Sequence, residues 1–237
     1  MVRWKVTVAV LAGIAGVLLT TALGNWQTRR GDEKAARQAE WDEALAHAPT
    51  VLASAQDVAR VGKKTPQRVQ VSGTFVPEAT VYIDNRLQDG VAGYQVITPF
   101  AIQEGAPWVL VNRGWAPRDM RDRALLPKAP VGTAPMSIQG IAVDRVPRAL
   151  ELGTRETGLG GIWQNLDFEA FEQASGRKVA RFVLQQTSDT GDGLKRNWPR
   201  PDAGVDRHRG YAFQWYSLAI LVALLTLYFG VKAWRRA

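Results

Sequence analysis

Cysteine is absent from this 237-residue chain. Its absence excludes a disulfide framework, thiolate copper or zinc sites and Cys-based redox chemistry. Histidine occurs only at His47 and His208, too few for a histidine-built metal cluster. Methionine is confined to Met1, Met120 and Met136, which argues against a Met-rich copper site. Familiar enzyme signatures are missing too. Ser137, Ser175 and Ser188 lack a G-x-S-x-G setting. "GLGG" at residues 158–161 is not the dinucleotide fingerprint, and no phosphate loop occurs. Asp189 and Asp192 in "SDTGDG" look like a fragment of a calcium loop, and a solvated turn explains them more simply. The chain reads as a non-enzyme.

Acidic residues are lacking at both ends, and this organises the chain. All 22 Asp and Glu fall within residues 25–210, whereas five of the 30 Lys and Arg (Arg3, Lys5, Lys232, Arg235 and Arg236) lie outside that interval. The net charge of +8 therefore divides into a near-balanced middle, 25 bases against 22 acids, and two short basic ends. A uniformly basic chain would suggest nucleic acid; this distribution instead orients membrane segments.

Two long uncharged runs sit between the middle and the ends. Residues 211–231 carry no charge, with Tyr211, Trp215 and Tyr216 at one end, Trp234 at the other and Lys232, Arg235 and Arg236 as a basic stop. At about 1.5 Å per residue such a helix covers roughly 30 Å, the thickness of a bilayer's hydrocarbon. Residues 6–24 form the first apolar segment, with Arg3 and Lys5 before it and Trp26, Arg29 and Arg30 after it. A cleavable signal peptide is its rival, since "TALGN" (residues 21–25) offers small residues. The 18 uncharged residues from Val6 to Leu23 exceed an h-region of about 7–15 residues and favour an uncleaved anchor. The positive-inside rule then expects residues 1–5 and 232–237 in the cytoplasm and residues 25–210 exported. The five residues before the first run are expected to be too few for an amphipathic transit peptide, which favours a bacterial inner membrane with a periplasmic domain.

The middle expects a β-rich, α+β fold, an antiparallel barrel or sandwich between two transmembrane helices. "DEKAARQAEWDEALAH" (32–47) reads as a helix that could extend the first span and stops before Pro49. "RVQVSGTFV" (68–76) and "TVYID" (80–84) alternate apolar and polar residues. "GYQVITPFAIQEGAPWVLVNRGW" (93–115) reads as two strands turning at residues 104–106, while "MSIQGIAV" (136–143) and "ARFVLQQ" (180–186) add two more. A short helix is expected over 168–174, with Asp167 as N-cap and Gly176 beyond its end. In "VLVNRGWAP" (109–117), Gly114 permits a bend and Trp115 packs the core; alternatively Arg113 and Trp115 form a partner-binding surface, with Arg113 awaiting a carboxylate.

The membrane-proximal residues suggest chemistry of their own. At about 100° per residue, His208, Tyr211 and Trp215 share one helix face, and Trp26 and Arg30 are spaced i, i+4 on the first segment. Both groups lie on the exported side. One imidazole, several aromatic faces and an Arg suit haem, through iron ligation, ring packing and propionate pairing. An ordinary interfacial belt with His208 near the headgroups accounts for the same residues.

Three spaced motifs resemble the surfeit locus protein one family, membrane factors that assist cytochrome c oxidase assembly. The first is L-G-x-W-Q-x-x-R, here Leu23, Gly24, Trp26, Gln27 and Arg30. The second is G-Y-x-V-x-T-P (93–99) followed by V-N-R-G-W (111–115). The third is H-x-x-Y-A-x-x-W-[YF], here His208, Tyr211, Ala212, Trp215 and Tyr216. Departures include Glu33-Lys34 in place of Trp-Lys, Asp206, Arg209 and Gln214 around the third motif, and "RETGLGGIWQNLD" (155–167) in place of an acidic-Pro-Asn feature. The resemblance implies a two-span chaperone that binds haem a transiently, with His208 as the iron ligand and cytochrome c oxidase subunit I as partner, haem a synthase being a further one. The alternative is a scaffold that clamps immature subunit I without haem.

Overall fold

The computed structural model describes residues 2–61, 66–122, 125–148, 158–198 and 204–235. Part of the basic C-terminal stop (Arg236) and part of the departing segment (155–157) lie outside the described residues. In chain order the elements are α1 (Val2–Ala46), β1 (Thr50–Leu52), α2 (Ala55–Val61), β2 (Gln67–Phe75), β3 (Val81–Gln88), β4 (Val91–Ala101), β5 (Trp108–Pro117), β6 (Met136–Val143), β7 (Ile162–Trp163), α3 (Phe168–Ser175), β8 (Val179–Gln186) and α4 (Val205–Trp234). They form two compact units, residues 1–41 with 199–237, and residues 42–198.

The helical unit pairs α1 with α4. Both are long and apolar enough to cross a membrane. The expected helix over 32–47 extends the first span: α1 runs unbroken to Ala46, because no proline intervenes before Pro49 and the polar half is rich in good helix formers. Contacts pair Gly31 and Gln27 with His208, Gly24 with Tyr216, Gly16 with Val222 and Gly230 with Val10, so the helices run antiparallel. The buried positions are all small: Thr20, Gly24 and Gly31 on α1, Ala212 and Ala219 on α4. Small residues let helix backbones approach where lipid would otherwise compete for the contact. Outward-facing positions are large and apolar, among them Leu11, Leu18, Leu19, Phe213, Leu221, Leu224 and Leu227. The helix pair therefore presents a large apolar exterior.

The second unit is a mixed sheet of order β1-β2-β6-β8-β5-β4-β3-β7, with a further β2–β4 pairing. That pairing, Thr74 to Ala101 and Phe75 to Phe100, closes β2-β6-β8-β5-β4 into a ring. One face of each ring strand feeds a single apolar cluster that includes Val71, Phe100, Val111, Ile138 and Phe182, joined by Val58 and Val61 of α2. The expected antiparallel barrel or sandwich is corrected in its strand directions: the sheet is mixed. β5–β8, β1–β2 and β3–β7 are parallel. The β5–β8 pairing brings together strands far apart in sequence, which residue alternation alone cannot orient. β1, α2 and β7 were also not expected; none exceeds seven residues, too short for a clear periodic signal. The capped helix is as expected: the Asp167 carboxylate accepts from the N–H groups of Glu169 and Ala170, and Gly176 closes α3 at φ 66°.

One irregularity shapes the interior. Between β4 and β5, Val96 pairs with Gly114 but Ile97 with Asn112, leaving Arg113 as the extra residue of a bulge. Gly114 sits at φ 148°, and a Cβ there would come within 2.7 Å of the Leu194 side chain and 2.8 Å of the Lys195 carbonyl oxygen. Only glycine meets both demands.

Candidate functional site

Within the helical unit, His208 lies in the first turn of α4, behind Gly204 at φ 47°. It is half-buried, and its Cβ lies 3.5 Å from where a Cβ would stand on the buried Gly31. Its Nδ1 is 2.6 Å from the Oε1 of Gln27. An amide oxygen only accepts, so Nδ1 carries the proton and, in the neutral ring, Nε2 bears the lone pair. Among the described residues Nε2 has no hydrogen-bond partner.

Two further bonds brace the same end of the helix pair. The Tyr216 hydroxyl donates to Asn25 Oδ1 at 2.7 Å and lies 3.3 Å from Thr28 Oγ1. The Tyr216 ring occupies the space that a side chain at Gly24 would fill. Trp215 is half-buried, whereas Trp26 and Tyr211 are 47% and 48% exposed. Arg30 is exposed and ion-paired with Glu33 at 2.8 Å. The α1 side chain that hydrogen-bonds to His208 is Gln27, the fifth letter of the first motif, to which the sequence assigned no role.

The sheet unit places Arg113 and Trp115 quite differently from a docking surface. The Arg113 side chain is 1% exposed and donates to the carbonyls of Ala129 and Pro130 and, at 2.8 Å, to Asp192 Oδ2. Asp192, at 2% side-chain exposure, also accepts from Arg196 at 2.6 and 2.7 Å. Burial pushes the Asp192 carboxyl up, but bonds from Arg196 and the Leu194 N–H, with both guanidinium charges, hold it below the usual carboxylate range. Arg113 is drawn below the usual guanidinium value by burial, which outweighs the raising effect of Asp192. The carboxylate that Arg113 was expected to await is thus internal. The solvated-turn reading of Asp192 is likewise corrected; Asp189 alone keeps its side chain in solvent.

Trp115 is 4% exposed. Its Nε1–H donates to the Arg86 carbonyl at 2.8 Å, and Lys195 Nζ lies 5.4 Å from its ring centroid. Trp115 and Lys195 also exchange backbone hydrogen bonds at 2.8 and 2.9 Å. Together these contacts pin residues 190–196 onto β5. Arg113 and Trp115 therefore build the domain interior and the strap lying on it.

Among the described residues no group of three or more His, Cys, Asp or Glu could hold a metal ion. A family model described as the SURF1 family matches residues 14–220. The chain is also 24% identical over 239 residues to a "SURF1-like protein" of Monosiga brevicollis, covering 93% of this chain and 87% of that protein.

Proposed function

Because the chain belongs to the SURF1 family, a family linked to cytochrome oxidase assembly, we propose that it is a haem a chaperone assisting insertion into oxidase subunit I. The observation that carries this reading is His208, whose Nδ1 is tied to Gln27 while Nε2 is uncommitted. When bound, haem would supply an iron that accepts an imidazole ligand, and His208 Nε2 would hold it. Trp26, Tyr211 and Trp215 offer aromatic faces, and the apolar flanks of α1 and α4 take the rest of a lipid-soluble macrocycle. The exposed Arg30–Glu33 pair is weak, so Arg30 can exchange Glu33 for a propionate. The residues fit a loosely held group: one ligand nitrogen and exposed rings in place of a closed cage.

In this reading α1 and α4 span the bacterial inner membrane with both ends cytoplasmic, and the sheet domain is periplasmic. Subunit I receives the haem, and haem a synthase supplies it. The protein binds and releases its cargo without changing it, so it is not an enzyme. A haem-free scaffold for subunit I was to rest partly on a surface around Trp115; the burial of Arg113 and Trp115 removes that support.

The test is an absorption spectrum of detergent-purified protein from cells that make haem a, wild type against His208→Ala. A haem a band in wild type that disappears from a mutant with unchanged circular dichroism is expected. A band that survives the mutation, or absence from both while oxidase assembly still requires the protein, refutes the proposal in favour of the scaffold.

A further inference from the structure

We infer that Gln27 is a positioning residue for His208, setting which imidazole nitrogen is offered to iron; this rests on the haem-carrying reading above. The two side chains are 181 positions apart in sequence and meet at 2.6 Å. Three features of the helix pair hold them there. Gly31, one turn from Gln27, is buried and leaves room for the His208 Cβ to approach. The Tyr216–Asn25 bond at 2.7 Å fixes the rotation of α4 against α1 less than one turn from Gln27. Gly24 lets the Tyr216 ring sit against the α1 backbone.

A ring nitrogen bound to a metal must be unprotonated. The hydrogen bond made by the other nitrogen decides which one is free and how the ring is aimed. With Oε1 of Gln27 accepting from Nδ1–H, the neutral ring is held as the tautomer whose Nε2 bears the lone pair. A histidine side chain free in water favours the opposite tautomer, with the proton on Nε2. Gln27 therefore removes a rearrangement that would otherwise precede iron binding. The bond also makes Nε2 a better donor, as outer partners of ligating histidines do.

The experiment uses the full chain in detergent, in two readouts. Nitrogen-15 histidine NMR without haem reports the His208 tautomer, with His47→Ala assigning the second histidine. Titration with haem a extracted from purified oxidase reports affinity. Wild type is expected to show Nδ1–H, and Gln27→Leu a shift toward Nε2–H with affinity about 10–100-fold weaker. Gln27→Glu, which keeps an acceptor oxygen, restores both. Gln27→Leu with wild-type tautomer and wild-type affinity overturns this inference while leaving the haem reading intact. Failure of wild type to bind haem a overturns both. Loss of affinity in Gln27→Leu without a tautomer change, and without rescue by Glu, overturns it too, because packing alone would then explain the loss.

Discussion

Asp192→Asn removes the carboxylate shared by two guanidinium groups inside the sheet domain. Arg113 is 1% exposed and would keep the Ala129 and Pro130 carbonyls, the face of the Phe75 ring and at best a neutral amide oxygen, but no charged partner. Arg196, at 11% exposure, still reaches Asp189 at 3.4 Å, so most of the penalty falls on Arg113. Stranding one member of a buried ion pair costs about 3–5 kcal/mol; the surviving carbonyl bonds place the expectation near the lower figure, about 3 kcal/mol. At about 2–4 °C per kcal/mol for a domain of this size, the melting midpoint should fall by roughly 10 °C. Tryptophan fluorescence of full-length protein in detergent, melted at one fixed scan rate, measures it. A companion variant, Arg113→Met with Asp192→Asn, should regain part of the loss, since replacing the buried guanidinium by an apolar side chain removes the stranded charge. A drop below about 2 °C in the single variant, or no recovery in the double, would refute the reasoning, because the guanidinium would then be solvated.

The same carboxylate sets an acid limit. Its folded-state pKa lies below the ordinary value, so its stabilisation is complete above about pH 5 and is lost as pH falls past about 3.9 toward the depressed value. Wild type should thus lose more stability than Asp192→Asn between about pH 5 and pH 2; parallel acid titrations followed by near-UV circular dichroism would disprove this. Gly24→Leu puts a Cβ within 2.6 Å of the Tyr216 ring. The helix pair should loosen by about 1–3 kcal/mol, seen as exchange of α1 and α4 amides faster by on the order of tenfold; unchanged exchange would mean the helices do not touch there. Asp167→Ala removes an acceptor shared by two N–H groups at 3.0 Å and should cost about 1 kcal/mol in denaturant unfolding.

What the sequence carried is what a residue and its near neighbours can dictate. Residues 211–231 specify a membrane-length helix because length and lack of charge are local properties. Asp167 and Gly176 bound α3 because a cap bonds to N–H groups two and three residues away. Strands β2, β4, β5, β6 and β8 announced themselves by apolar content and alternation. The motif order pointed to the family.

Only the tertiary structure decided how these pieces meet. The β2–β4 pairing that closes the ring and the parallel β5–β8 pairing join strands whose register is fixed by shared burial. Arg113 looked free because nothing near it in sequence is acidic; a bulge turns it inward to Asp192, 79 positions away. Gln27 looked like a spacer between Trp26 and Arg30, yet it is the side chain that holds His208. A buried charge or imidazole must find its partner wherever the fold brings one, because an unpaired polar group inside costs more than any local preference can offset.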